Sequence, residues 1–372
     1  MQQTPRTMGK LLLAALCVFV ALEALLLLFN DVVFRRATFM YDPDLGLKVR
    51  PHLDYPGFGS SNEFGFNGPD YPHHPQLGTF RVLILGDSFN WAGWSTGNYT
   101  AILQRKFDAA MPRRVEVINA GYPYTHPGEE LGILRKYGLQ YNPHLVIVGF
   151  FVGNDFLEAD PEVRKIVVGD LVVEHRGHEL TLFGQPLVMQ SRLYAFLKQR
   201  LAIREYQRNE TQRPPQAQPA SFSDWYLDLE RERMKVVDPA AAVALEKNEA
   251  YAFQSLLAMR DLLASRGTPF VLVAYPDEFQ VNESLRQAVV ERHRMDPSAF
   301  QWSRPQALLR EFCSRHDIPF YDMLPAFQQA DRDGARVYAP NDTHWNDTGN
   351  ELAAQFLFDV LVGEPFGLSG NR

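Results

Sequence analysis

Val82-Leu83-Ile84-Leu85 is an unbroken apolar run, preceded by Arg81 and closed by Gly86. A strand with one face in water alternates apolar and polar residues. One without alternation is buried on both faces, as in a parallel sheet covered by helices on either side. The pattern repeats along the chain. Strand-like runs at Phe80–Leu85, Val115–Asn119, Leu145–Phe151, Phe270–Ala274 and Pro319–Tyr321 are separated by helical stretches. These lie at about Tyr99–Met111, Pro127–Tyr137, Asn248–Ser265 and Pro305–Arg315, with a last helix at about Gly349–Leu361. Strands alternating with helices of this length predict an α/β class chain, one three-layer α/β/α domain on a parallel sheet.

The first residues do not share that pattern. From Leu11 to Phe29 the chain is apolar apart from Glu23, and about twenty apolar residues cross a bilayer core. The length exceeds the apolar region of a signal peptide, and no small-x-small cleavage site follows, so a single transmembrane helix through residues 11–29 is expected. Arg6 and Lys10 precede it and Arg35 and Arg36 follow, a near balance that favours the N-terminus inside and the bulk of the chain outside the cytoplasm. Cys17 follows Leu16 and fits a lipobox poorly. Glu23 is either a contact for a partner helix or a tolerated residue that snorkels.

The expected division is 1–36 for the tail and anchor, 37–79 for a turn-rich lead-in, and 80–365 for the α/β domain. That domain carries an insertion at about 161–243. Within it KIVVGDLVVEH and HELTLFG predict a small antiparallel addition, QRNETQRPPQAQPAS a flexible loop, and WYLDLERERM a helix. The insertion either overhangs the cleft and shapes specificity or is a passive elaboration.

Formal charge is −7, from 37 basic and 44 acidic residues, with no long basic stripe, which argues against nucleic acid as a partner. The two cysteines, Cys17 and Cys313, make an intramolecular disulfide unexpected and remove thiolate metal sites. Asp342 and His344 are two ligands within three residues, an incomplete metal site, and no metal or cofactor is expected. The other nine histidines, His73-His74 and His175/His178 among them, lack a partner pattern and read as surface residues.

Four pieces follow core strands or lie near the C-terminus. They are Gly86-Asp87-Ser88, Asn119-Ala120-Gly121-Tyr122-Pro123-Tyr124, Gly153-Asn154-Asp155, and Asn341-Asp342-Thr343-His344-Trp345-Asn346. In this order they resemble the SGNH (GDSL-type) hydrolase superfamily over roughly residues 60 to 365. Asn62-Glu63-Phe64-Gly65-Phe66-Asn67-Gly68 is similar to the segment that precedes the serine strand in many members. The resemblance implies a flavodoxin-like fold, Ser88 as nucleophile, His344 as base and Asp342 as the acid that orients it. It implies an oxyanion hole from the Ser88 N–H, an N–H of the 121–124 turn and the Asn154 side chain.

The chemistry needs these residue types. A serine hydroxyl is a poor nucleophile until an imidazole removes its proton, and the imidazole needs its other nitrogen held by an acceptor. The oxyanion needs preorganised donors, and a neutral amide donates without adding charge. In the turn, the family's usual donor glycine aligns with Tyr124 better than with Gly121, and a tyrosine there crowds the acyl pocket. Asp two residues before His, rather than three, is similar to the polysaccharide O-acetyltransferases typified by the alginate acetylation proteins. Asp87 and Asp155 read as turn-stabilising residues. Trp91 and Trp345 flank the site as candidates for stacking on a sugar, against the commoner fate of burial.

The reading is a membrane-anchored serine esterase for small O-acyl esters, acetyl above all, of a cell-surface glycan. The partners expected are an acylated carbohydrate, the lipid bilayer, and a membrane acyltransferase that supplies acyl groups. The alternatives are an O-acetyltransferase on the same site, or a catalytically silent glycan-binding or assembly subunit.

Overall fold

The structure, a computed structural model, describes residues 5–29, 38–55, 59–168, 171–176, 181–182, 185–186, 191–194, 196–197, 200, 222–363 and 365–366. The QRNETQRPPQAQPAS loop lies outside the described residues. The chain forms two compact units, residues 1–50 with 162–217, and residues 51–161 with 218–372.

The second unit holds the sheet. Its strands are β1 (Phe80–Leu85), β2 (Val115–Asn119), β3 (Leu145–Phe151), β4 (Phe270–Tyr275) and β5 (Phe320–Asp322). They run in the order β5-β4-β3-β1-β2 with every neighbour parallel. In chain order this is the flavodoxin-like arrangement 2-1-3-4-5, whose direction of winding reverses between β1 and β3. In such sheets ligands bind at this reversal, beyond the carboxyl ends of the strands. Ser88 follows β1 and Asn154 follows β3, so this topology sends both to the same place.

Alternation sorts the strand side chains into two layers. Val82, Ile84, Val115, Val117, Leu145, Ile147, Val271 and Val273 pack with one pair of helices. That pair is α1 (Tyr99–Ala110), through Ile102, Leu103 and Phe107, and α6 (Asp347–Val362), through Ala353, Leu357 and Leu361. Leu83 points the other way, toward Gly138 and Leu134. Here α2 (Pro127–Lys136) packs with α4 (Ala242–Ala264). Helix α3 (Asp224–Arg233) precedes α4 in the chain and α5 (Arg304–Arg315) follows it. The three layers are those expected.

One charged pair sits inside the sheet. Arg81 lies within β1, as the run Phe80–Leu85 predicts, pairs in register with Glu116 of β2, and is 0% exposed. Its Nε donates to Glu116 at 2.6 Å, and its Nη1 donates to the carbonyls of Tyr141 and His73.

The first unit contains the helix Pro5–Leu28, long and apolar enough to cross a membrane. It also contains the antiparallel pairs Phe39–Met40 with Lys48–Val49 and Val163–Val168 with Leu171–Arg176, the latter within the predicted addition. Gly46 has φ +85°, and a Cβ there would lie 2.0 Å from the Lys165 carbonyl oxygen, so only glycine lets these pairs approach. Glu23 has partners within the chain. Its carboxylate accepts from Ser191 Oγ at 2.5 Å and from the N–H groups of Arg192 and Leu193 at 2.7 and 3.2 Å.

Candidate active site

Ser88 opens the short turn Ser88–Asn90 directly beyond β1. Asp87 makes that turn: fully buried, it accepts the Phe89 N–H at 2.9 Å. Burial pushes its carboxyl up to about 6, against the Phe89 hydrogen bond and the nearby His344, both of which pull it down. Asp155 plays the same part beyond β3, accepting the Phe151 N–H at 2.9 Å.

From the other end of the chain, the loop between Ala339 and α6 brings in the imidazole. His344 Nε2 lies 2.7 Å from Ser88 Oγ, and His344 Nδ1 lies 2.6 Å from Asp342 Oδ1. The spacing of two residues suffices because Asp342 also accepts the His344 backbone N–H at 3.1 Å, which folds the acid back onto its own histidine. A hydroxyl in contact with an imidazole whose second nitrogen faces a carboxylate is the arrangement that activates serine.

The second turn is held against the first. Tyr122 N–H donates to the Gly86 carbonyl at 3.1 Å, and Trp91 Nε1 donates to the Gly121 carbonyl at 3.0 Å. Gly121 is glycine for space, since a Cβ would stand 2.4 Å from Asn90 Cβ. Its N–H is spent on Asn119 Oδ1 at 3.2 Å, which removes Gly121 from the candidate oxyanion donors. Tyr124, the other candidate, has φ +68°, a left-handed backbone that glycine adopts freely and tyrosine rarely does. The residue is 52% exposed. Asn154 stands at the start of a short helical turn and donates its side-chain amide to Glu158 Oε1 at 3.0 Å, which orients it and leaves the second N–H of the same amide.

Of the two fates weighed for the tryptophans, burial holds. Trp91 is 8% and Trp345 2% exposed, so neither offers a ring face to a sugar. Trp345 instead underlies the site, 4.7 Å from Phe89 and 5.0 Å from Tyr275 between ring centroids. His126 is no surface residue either. It is buried, caps α2 by accepting the Gly128 N–H at 3.0 Å, and lies 3.0 Å from Glu129.

A buried amide network, which sequence reasoning missed, supports the serine turn. Asn90 donates to Asn119 Oδ1 at 2.9 Å and accepts from Tyr99 at 2.8 Å, while Asn119 and Asn67 both donate to the Asn90 carbonyl. Asn98 donates to the Phe89 carbonyl at 2.9 Å. Asn67 belongs to the segment upstream of β1, and this contact is its reason for being there. The signal was present as asparagines beside each motif, yet an asparagine in a turn usually serves only its own backbone.

Residues 237–371 match the family model described as the SGNH hydrolase-like domain of the acetyltransferase AlgX. The match takes in Asp342, His344 and Trp345 and stops short of Ser88 and Asn154. Among solved structures, the acetyl xylan esterase AlAXEase aligns at 13% identity over 76% of this chain and 100% of its own, with TM-score 0.42. A catalytic mutant of Axe2, an acetylxylan esterase from Geobacillus stearothermophilus, aligns at 13% identity over 80% of this chain and 100% of its own, with TM-score 0.39. TesA aligns at 11% identity over 77% and 99%, with TM-score 0.40. No curated protein sequence matches this chain.

Proposed function

We propose that this chain is a serine-dependent acyl-ester enzyme. Ser88 attacks the ester carbonyl, His344 Nε2 takes the hydroxyl proton, and Asp342 holds the imidazole through Nδ1. The tetrahedral oxyanion is met by the Ser88 N–H, the Tyr124 N–H and the Asn154 amide. As the alcohol leaves, His344 returns the proton to it and an acyl-Ser88 remains. Water or a sugar hydroxyl, deprotonated by the same histidine, then takes the acyl group and restores Ser88. The observation that carries this reading is the unbroken contact from Ser88 Oγ to His344 Nε2 at 2.7 Å and on from Nδ1 to Asp342 at 2.6 Å.

The substrate class we infer is small O-acyl esters, with acetyl first, on a carbohydrate outside the cytoplasm. The match of residues 237–371 to an acetyltransferase family supports acetyl and keeps transfer to a sugar as the alternative to hydrolysis. The pairing of Glu23 with Ser191, Arg192 and Leu193 supports an N-terminal helix retained as an anchor, because a cleaved leader would leave those donors without their acceptor.

The test is direct. Ser88→Ala and His344→Ala each lower hydrolysis of 4-nitrophenyl acetate by at least about 10³-fold, and Ser88→Ala abolishes labelling by a fluorophosphonate. Full activity in either variant sinks the mechanism. Acetyl label that moves to an added glycan rather than to free acetate separates transfer from hydrolysis.

A further inference from the structure

Helix α3 touches three consecutive residues of the loop that carries the acid and the base. At its N-cap, the Ser223 N–H donates to Asn341 Oδ1 at 2.7 Å. The buried Tyr226 hydroxyl lies 3.3 Å from the Asp342 carbonyl oxygen and 2.5 Å from Glu278 Oε2. At the last residue, Arg233 Nη1 donates to Thr343 Oγ1. Arg233 is itself fixed by Glu230 at 3.2 Å and Asp277 at 3.7 Å, with its guanidinium 5.3 Å above the Phe151 ring at the end of β3. The helix in turn is tied from outside, where Arg292 reaches Asp224 at 2.7 Å and Asp228 at 3.1 Å.

These contacts answer a mechanical problem. The Asp342 side chain is 51% exposed, so packing around the carboxylate does not hold it in place. Asn341 has φ +50°, which turns the chain sharply just before the acid. The loop closes on itself through the Asp342 N–H to the Ala339 carbonyl at 3.1 Å and the Ala339 N–H to the His344 carbonyl at 2.9 Å, and α3 adds an outside contact at each of positions 341, 342 and 343.

We propose that α3 is the positioning element of the triad, holding Asn341–Thr343 so that Asp342 Oδ1 meets His344 Nδ1. The inference rests on the acyl-ester reading above and deepens it. Tyr226 and Arg233 are positioning residues that act through Asp342 and His344. The helix precedes the stretch matched by the acetyltransferase family, so this support comes from outside that match.

The full-length protein in detergent serves for the test, with Arg233→Met, Arg233→Lys and Tyr226→Phe. Turnover of 4-nitrophenyl acetate is measured per active site, titrated with a fluorophosphonate. The ring-nitrogen resonances of His344, labelled with ¹⁵N and assigned with His344→Gln, report its hydrogen bond to Asp342. Displacing a catalytic group by about 1 Å costs on the order of 10²-fold. Arg233→Met is therefore expected to lower kcat per titrated site about 10²-fold with KM within about twofold, and Tyr226→Phe about tenfold. Arg233→Lys, which keeps the charge and one donor, restores part of the loss. The His344 Nδ1 resonance shifts in Arg233→Met and stays near its wild-type position in Arg233→Lys. Unchanged kcat per site in Arg233→Met and Tyr226→Phe overturns the proposal. So does a loss confined to the titratable fraction or to melting temperature, which marks α3 as fold support only. If Arg233→Met does not fold, because Glu230 and Asp277 lose their cation, Tyr226→Phe decides. If the wild-type protein turns over no ester, the acyl-ester reading fails alone. The His344 resonance then still judges the positioning, and an unmoved resonance in the variants overturns it.

Discussion

Tyr124 is held in a left-handed backbone and is half exposed, at the turn that faces Ser88's own. Any non-proline residue there keeps the backbone N–H, so in the mechanism proposed above a tyrosine ring would narrow the acyl pocket without removing the donor. Tyr124→Gly should raise kcat/KM for a butyrate ester relative to an acetate ester by roughly tenfold, the scale on which apolar pockets discriminate by a few methylenes. An unchanged ratio places the ring away from the acyl group. Asn154 makes the complementary case. Its amide is aimed by Glu158, and Asn154→Ala should cut kcat about 10²–10³-fold with KM little moved, measured on 4-nitrophenyl acetate. The meeting of Ser88 with His344 and Asp342 was legible because the serine closely follows a strand and the histidine stands in a polar run near the C-terminus. Which partners cover Trp345 was not, since its packing with Phe89, Tyr99 and Tyr275 is long-range.

At the scale of elements, the strands were legible to within a residue or so because both of their faces are apolar, and such runs have few other uses. Arg81 is the exception within β1, a charge that the strand tolerates through Glu116 and two carbonyls. Removing one partner of a buried pair strands the other charge. Glu116→Ala is therefore expected to cost about 3–5 kcal/mol of stability, seen as a lower urea midpoint with the slope unchanged. A cost under about 1 kcal/mol means that water or the Tyr141 and His73 carbonyls suffice for the guanidinium. Helix α3 was legible as a helix and not as a clamp. Its contacts lie more than a hundred residues away in sequence, and no local pattern announces a partner at that separation.

Across the whole molecule, burial has gathered carboxyl groups beneath the site. It lifts Asp87 to about 6 and Glu278 to about 7, and it raises Glu130, Asp155 and Glu230 as well. In the unfolded chain these groups titrate near the ordinary carboxylate value of about 4. Between that value and pH 7 the folded protein therefore holds more protons than the unfolded one, and stability falls as pH rises through this window. Melting temperature should decline from about pH 4 to 7, and the Asp87→Asn, Glu278→Gln double variant should flatten the decline. A wild-type melting temperature that climbs over the same interval contradicts this sign.

The partners of Glu23 carry a consequence for the order of assembly. Ser191 lies 168 residues further along the chain. At roughly 5–20 residues per second of synthesis, the helix emerges on the order of ten seconds before the segment that meets its carboxylate. In the anchored protein proposed above, the span must enter the bilayer on its own apolarity and flanking charges, with Glu23 an unmatched burden below the roughly 2.5–3.5 kcal/mol of a charge at the centre of a span. The latch at Ser191 closes only afterwards. A ribosome stalled before that point leaves an anchor in the membrane without its lock, so the first unit is threaded early and fastened late.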